Sequence, residues 1–221
     1  MSRLGVETLD LMQLHCIPFE FLKKPELYEW LGILKKEGKV KNFGASVANT
    51  EEALFCLEKE IFASVQIIFN IYRRAPIDLF FEKAKQKQVA VIVRLPMASG
   101  LLSGKFTPQT EFAPEDHRCY NRDGQRFNVG ETFSGIPFLE GLRLTEELKG
   151  FLPAGMTMAQ MALRFILDFD AVTTVIPGAT RVEQVIENTS VASLPPLSDE
   201  LHARLKKFFD AKVVGCIRGK Q

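Results

Sequence analysis

The amino-acid sequence predicts an α/β fold on a parallel sheet of about five strands, each followed by a helix, with a further helix at the C-terminus. Three observations predict it. Short apolar and β-branched runs alternate with longer runs of helical period. Residues 89–93 are apolar throughout, as a strand covered on both faces requires. Polar side chains recur at the same end of successive strands.

The elements follow in order. Residues 8–15 form the first strand, and Gly5 ends whatever precedes it. Pro25 opens a helix to about Lys36, with Leu27, Trp30, Leu31 and Leu34 as its apolar stripe, and Gly38 stops it. Residues 40–45 are a strand; Asn49 or Thr50 caps the next helix, which carries Glu51 and Glu52 in its first turn. A strand at 65–69, a helix at 76–86 and a strand at 89–93 come next. The rhythm then breaks from Leu95 to about Ile136, a stretch punctuated by Pro96, Gly100, Gly104, Pro108, Pro114, Gly124, Gly130 and Gly135. Loops of that length serve mostly as lids or binding loops. His117 and Tyr120 on it read as solvated residues, with substrate contact as the alternative. Helices follow at 137–149 and 157–168, the second around the apolar run 158–167. The last strand, 172–176, stops at Pro177-Gly178; its helix runs to about Val191. A tail helix starts near Ser198 with Leu201, Leu205, Phe208 and Phe209 on one side, placed to pack on the outside of the domain. Five strand-helix units fall short of the eight that close a (β/α)8 barrel, so the expected architecture is an incomplete barrel.

Composition narrows the class. With 221 residues, 46% hydrophobic and 25% charged, the chain has the make-up of a globular protein with a full core. An α/β barrel holds such a length in one domain, here 1–221. A net charge of +1 gives no electrostatic case for nucleic acid or an acidic membrane as partner. Cys16, Cys56, Cys119 and Cys216 show no CxxC or CxxH spacing, which argues against zinc and against a disulfide framework. Nor do His15, His117 and His202 share a ligand spacing, so no metal site is expected. No apolar run reaches the ~18 residues of a membrane span. With no signal-peptide stretch either, a cytoplasmic protein with free thiols is expected.

In parallel α/β folds the site lies beyond the C-terminal ends of the strands. The residues arriving there are Gln13 and His15, Ser46, Gln66 and Asn70, Arg94, and residues 176–181. Such a set can hydrogen-bond a carboxamide and a carbonyl and neutralise phosphates. After residues 172–176 a helix pattern carries Arg181, Gln184 and Asn188 on one side of its first turns. A strand feeding a helix N-terminus with an arginine and amides is an anion site of phosphate type, or else an ordinary strand–loop–helix junction. Gln66, an amide in an apolar strand, needs partners that a ligand amide would supply.

Four segments resemble the aldo-keto reductases: Leu4-Gly5-Val6-Glu7-Thr8-Leu9-Asp10-Leu11-Met12-Gln13-Leu14-His15, Gly38-Lys39-Val40-Lys41-Asn42-Phe43-Gly44-Ala45-Ser46, Ser99-Gly100-Leu101-Leu102-Ser103-Gly104-Lys105, and Ile176-Pro177-Gly178-Ala179 through Glu187-Asn188. They occur in order over nearly the whole chain, and the subgroup resembled is the bacterial type with a long loop after the seventh strand. The resemblance implies a TIM barrel of NADPH-dependent carbonyl reductases acting on small-molecule aldehydes and ketones. It implies that His15 hydrogen-bonds the substrate carbonyl and that Ser46 and Gln66 hold the nicotinamide carboxamide. Leu95, Pro96 and Ser99 would run past the pyrophosphate, with Lys105 as a clamp. Gly178, Thr180, Arg181, Gln184 and Asn188 would form the adenosine 2′-phosphate site, where a guanidinium favours NADPH over NADH. Two departures stand out: Val47 replaces an asparagine that offers a carboxamide bond, and Arg94 takes the place of an aromatic ring stacked on nicotinamide.

The resemblance covers the last five of eight units. The family's proton-donating tyrosine, with its lysine and aspartate, belongs to earlier strands; Tyr28, Tyr72 and Tyr120 lie in other segments, and Asp10 lies inside a strand. The chain is therefore expected to be N-terminally truncated and, by itself, inactive. Three readings are open: the C-terminal part of an ordinary reductase, an inactive relative that binds nucleotide or a partner and covers its open strand edges by oligomerising, and a fragment that is not stable alone.

Overall fold

The computed structural model describes residues 2–221. At its centre lies one parallel sheet whose strands stand in chain order: β1 (Leu9–His15), β2 (Val40–Ser46), β3 (Phe62–Ile68), β4 (Ala90–Arg94) and β5 (Val172–Val175). Among the described residues β1 pairs only with β2 and β5 only with β4, so the sheet is an open arc, not a closed barrel.

Helices cross from each strand to the next. α1 (Phe19–Leu22) and α2 (Pro25–Lys36) follow β1, α3 (Thr50–Leu57) follows β2, and α4 (Pro76–Leu79) and α5 (Phe81–Gln86) follow β3. After β4 come the long loop with α6 (His117–Tyr120), then α7 (Phe138–Leu148) and α8 (Met158–Leu167); α9 (Val182–Ser190) and α10 (Asp199–Phe208) follow β5. The caps explain where the helices start. Pro25 opens α2 at its first position, and the Asn49 side chain accepts from Glu52 N to start α3. Thr157 and Gln160 exchange side-chain and backbone hydrogen bonds in a capping box on α8.

Three elements differ from the sequence expectation. The helix expected at 76–86 breaks at Phe80, where φ opens to −108°. Phe80 and Phe81 are both buried at the break. β3 starts at Phe62, three residues early, and α1 is too short to show a period.

Alternation along the strands sorts the side chains. On the helix-covered face, Phe43, Ala45, Val65, Ile67, Val91 and Val93 are essentially inaccessible. The opposite face carries Gln13, Gly44, Ser46, Ser64, Gln66 and Arg94 among apolar residues that include Leu11, Ile68 and Ile92. The tail behaves as its pattern predicts, with Leu201, Leu205, Phe208 and Phe209 buried. Beyond it the chain returns over the long loop, where Arg218 Nε donates to Gly135 O at 2.8 Å and Arg218 Nη1 pairs with Asp123 at 2.7 Å.

Candidate functional site

Strand register sets the first part of the site. His15 stands opposite Ser46, and Ser46 opposite Gln66, so the three share a row on the polar face at the C-terminal rim. Ser46 is buried and donates its hydroxyl to Gln66 Oε1 at 3.1 Å. Fixing the oxygen in this way leaves the Gln66 Nε2 donors without a partner among the described residues. His15 is exposed at the end of its strand. Gln13 lies one layer lower: its Nε2 donates to Ser64 Oγ at 2.8 Å, and it rests on Gly44. Val47 faces the helix side and is fully buried.

Arg94 stands beyond that row, opposite Ile68, and is buried. Its guanidinium forks onto Glu131 of the long loop, with Nη2 to Oε1 at 2.6 Å and a second bond from Nη1 to the other oxygen. Nη2 also donates to Val47 O at 2.8 Å. Cys16, next to His15, brings its sulfur to 3.6 Å from the same nitrogen. Burial is the main effect pushing the Cys16 thiol up, with Arg94 pulling the other way. Glu131 and Cys16 are absent from the sequence expectation, since a loop carboxylate has no periodicity to mark it.

After β4 the chain turns through Leu95, Ala98, Ser99 and Gly100, all at positive φ. Non-glycine residues there cost roughly 1–3 kcal/mol each and need outside support. Asn70 supplies part of it, its Nδ2 donating to Leu95 O at 2.9 Å and to Ser134 Oγ at 3.0 Å. Ser99 Oγ donates to Glu131 O at 3.2 Å and accepts from Phe133 N at 3.0 Å. Asn70, expected at the rim, is thus a fully buried brace.

The braced segment forms one wall of a groove of about 600 Å³. Leu95, Pro96, Ser99 and Lys105 lie on that wall; Gly178, Thr180, Gln184 and Asn188 lie on the other; His117 and Arg118 of α6 complete it. The sequence expectation for Arg181 needs correction. It is not in the helix but caps α9 with extended backbone, φ −141° and ψ 151°. Just before the helix, Gln184 Oε1 accepts from Thr180 N at 2.7 Å and from Arg181 N at 3.2 Å. Asn188 Nδ2 donates to Gly178 O at 3.5 Å. Lys105 and Arg181 are both exposed.

His117 is not the solvated residue its loop position suggests. It is half-buried, its Nδ1 lies 3.2 Å from Thr132 Oγ1, and burial foremost holds its pKa below the ordinary value. Tyr120 is exposed, with its ring edge-on to Phe127. Among the described residues no group of three or more His, Cys, Asp and Glu could hold a metal ion, and no helix is long and apolar enough to cross a membrane.

A family model described as the Aldo/keto reductase family matches residues 1–210. This chain belongs to the aldo/keto reductase family. An uncharacterized oxidoreductase of Bacillus subtilis, YqkF, is 26% identical over 90% of this chain and 60% of its own length. The NADH-specific methylglyoxal reductase of Escherichia coli is 25% identical over 88% of this chain and 57% of its own. Among solved structures, the apo form of an aldo-keto reductase from Bacillus halodurans superposes with a TM-score of 0.69 at 26% identity, covering 94% of this chain and 64% of that one. The chain therefore spans about three fifths of the relatives it matches. The parallel sheet with its helices is the corresponding part of the barrel these aldo-keto reductases share.

Proposed function

We propose that this chain carries the cofactor-binding side of an aldo-keto reductase site that takes NADP(H) and a small aldehyde or ketone. The observation that carries the reading is the groove whose two walls are residues 95–105 and 178–188, taken together with the separate row of His15, Ser46 and Gln66 at the C-terminal rim. A dinucleotide needs a long groove with donors for an amide at one end and cations for phosphates along it, and these residues fit that need. Ser46 orients Gln66, whose Nε2 is available to a carboxamide. Glu131 and Val47 hold the guanidinium of Arg94 in place through its Nη groups, and its planar face is what it offers a ring. Lys105 serves the pyrophosphate. Arg181, exposed just before α9 and outside the residues lining the groove, would meet the 2′-phosphate with its side chain. Bound there, the cofactor supplies a hydride to the carbonyl carbon. His15 holds the carbonyl oxygen, exposed as an approaching substrate requires.

Fluorescence titration tests the cofactor. NADPH is expected to bind more tightly than NADH, and Arg181→Ala to weaken NADPH at least several-fold while leaving NADH unchanged. Equal affinities would overturn the phosphate assignment, a real contest because the methylglyoxal reductase named above is NADH-specific. The chain by itself is expected to reduce no aldehyde above background. General-acid help is worth ~10²–10⁴-fold, and Tyr28, Tyr72 and Tyr120 lie in segments other than those that carry the family's proton donor. Turnover abolished by His15→Ala would refute this. A second reading, an inactive relative that binds nucleotide or a partner, is favoured by the apolar side chains exposed at both ends of the sheet, among them Trp30 and Ile186.

A further inference from the structure

We infer that a second cavity, between α4, the C-terminal end of α8 and one face of α10, binds a small organic carboxylate whose charge is met by Arg74. The cavity shares no lining residue with the groove of residues 95–105 and 178–188, and it stands independently of the cofactor reading.

Arg74 lies two residues before α4 and is only 8% exposed. A buried guanidinium is costly unless acceptors answer it. The other three buried arginines each find one: Arg94 in Glu131, Arg164 in Asp168 at 2.8 Å, and Arg73 in the carbonyls of Ala48 and Lys220. The Arg74 side chain makes no hydrogen bond and no ion pair among the described residues, and its Nη1 is sealed from solvent without an acceptor. What holds it is aromatic: its guanidinium carbon sits 5.0 Å from the Phe165 ring centroid and 5.7 Å from that of Phe209. Burial foremost lowers its pKa, with Asp210 and Asp78 acting the other way.

The neighbouring carboxylates are committed elsewhere. Asp168 accepts from Arg164 Nε on one oxygen, and on the other from His202 Nε2 at 2.8 Å and Leu197 N at 3.1 Å. Asp210 is paired with Lys206 at 2.6 Å, and Asp78 is exposed. Arg74 is left facing a cavity of about 460 Å³. Asp199, His202, Ala203 and Lys206, at helical spacing on α10, line one side of it. His202 stacks on the same Phe165 ring that carries Arg74, with centroids 5.5 Å apart. Ile77, Phe169 and Leu197 add apolar wall. The volume is that of a small-molecule site.

Charge selects the ligand. Lys206 already has its partner, so Arg74 is the uncompensated cation of the lining, and Asp168 and Asp199 oppose a second negative charge. A monoanion with an apolar body therefore suits the cavity better than a phosphate dianion does, and a planar carboxylate matches the guanidinium fork.

Chemical-shift titration of the ¹⁵N-labelled chain with benzoate, benzyl alcohol and inorganic phosphate tests this. Benzoate is expected to shift the Arg74 Nε–H signal and the amides of residues 168–169 and 197–203 saturably. Benzyl alcohol and phosphate should bind at least several-fold more weakly. Arg74→Gln should weaken benzoate about ten-fold, as loss of a charge-assisted bond does. Ala203→Phe puts a ring into the cavity from an exposed helix position and leaves Arg74 in place. It covers the case in which the Arg74 variant does not fold, and should weaken benzoate by a similar factor. NADP⁺ affinity should be the same in both variants as in wild type. Absence of these shifts at millimolar benzoate would overturn the inference, as would benzoate binding that survives both substitutions. Benzyl alcohol matching benzoate, phosphate binding more tightly than benzoate, or a parallel loss of NADP⁺ affinity would overturn it too.

Discussion

His117 shows how a single side chain couples the long loop to pH. Burial disfavours its charged form, so the folded pKa lies below the ordinary 6.5. Asp116 and Glu131 pull it up and Arg118 pushes it down, but desolvation dominates. Between the two values the unfolded chain binds more protons than the folded one, so stability rises with pH through that window. The stabilisation is present above about 6.5 and is lost as pH falls through the folded value. The difference in unfolding free energy between wild type and His117→Gln, measured by urea denaturation from pH 7.5 to 5, is expected to move against the wild type as pH drops. A difference that stays flat, or moves the other way, would contradict the assigned burial. Taking the difference cancels His15 and His202, which both chains share. The residue also shows what the sequence could not disclose. His117 lies among the turns of a loop without period, and only tertiary contact with Thr132 distinguishes it from solvated Tyr120. Glu131 was hidden for the same reason, whereas Ser46 and Gln66 were readable because strand ends converge on one rim.

At the scale of elements, the row that holds the site depends on the layer beneath it. Gly44 of β2 has no Cβ, and one placed there would lie 2.2 Å from Ser64 Oγ and 2.6 Å from both polar atoms of the Gln13 amide. Gly44 therefore lets Gln13 and Ser64 meet across the strand between them, two residues below His15, Ser46 and Gln66. Gly44→Ala is expected to cost about 1–3 kcal/mol by overpacking, read as a shift in the urea midpoint. If the midpoint stayed in place, the layer would be looser than its contacts imply. Strand order and most helices were legible because periods of 2 and 3.6 residues persist in the sequence. The break at Phe80 was not, since no Pro or Gly marks it. The start of α9 misled for a local reason: Arg181 fits the helical spacing of Gln184 and Asn188, yet Gln184 turns back to bond the chain before the helix and leaves Arg181 outside it.

For the whole molecule, the open arc is the decisive property. A closed barrel covers the inner faces of its strands and leaves no unpaired edge. Here β1 and β5 each present a free edge among the described residues, and apolar side chains crowd beside both. Leu11 is 41% exposed, Phe21 52% and Trp30 62% near the first edge; Ile176 is 47%, Val185 50% and Ile186 63% near the last. Apolar exposure of this kind beside an unpaired strand edge marks a surface that another surface covers. With a net charge of only +1, long-range repulsion does little to keep copies apart. The chain is therefore expected to self-associate, its weight-average mass in sedimentation equilibrium rising with concentration from a 24.9 kDa monomer. Trp30→Lys with Ile186→Lys should lower that association without lowering the urea midpoint, because both side chains are already mostly in water. A chain that stayed monomeric at high concentration, without binding a hydrophobic dye, would mean the two edges are protected by their twist and flanking charges. In that case the open arc would be stable in its own right, and nucleotide binding would be the property to follow.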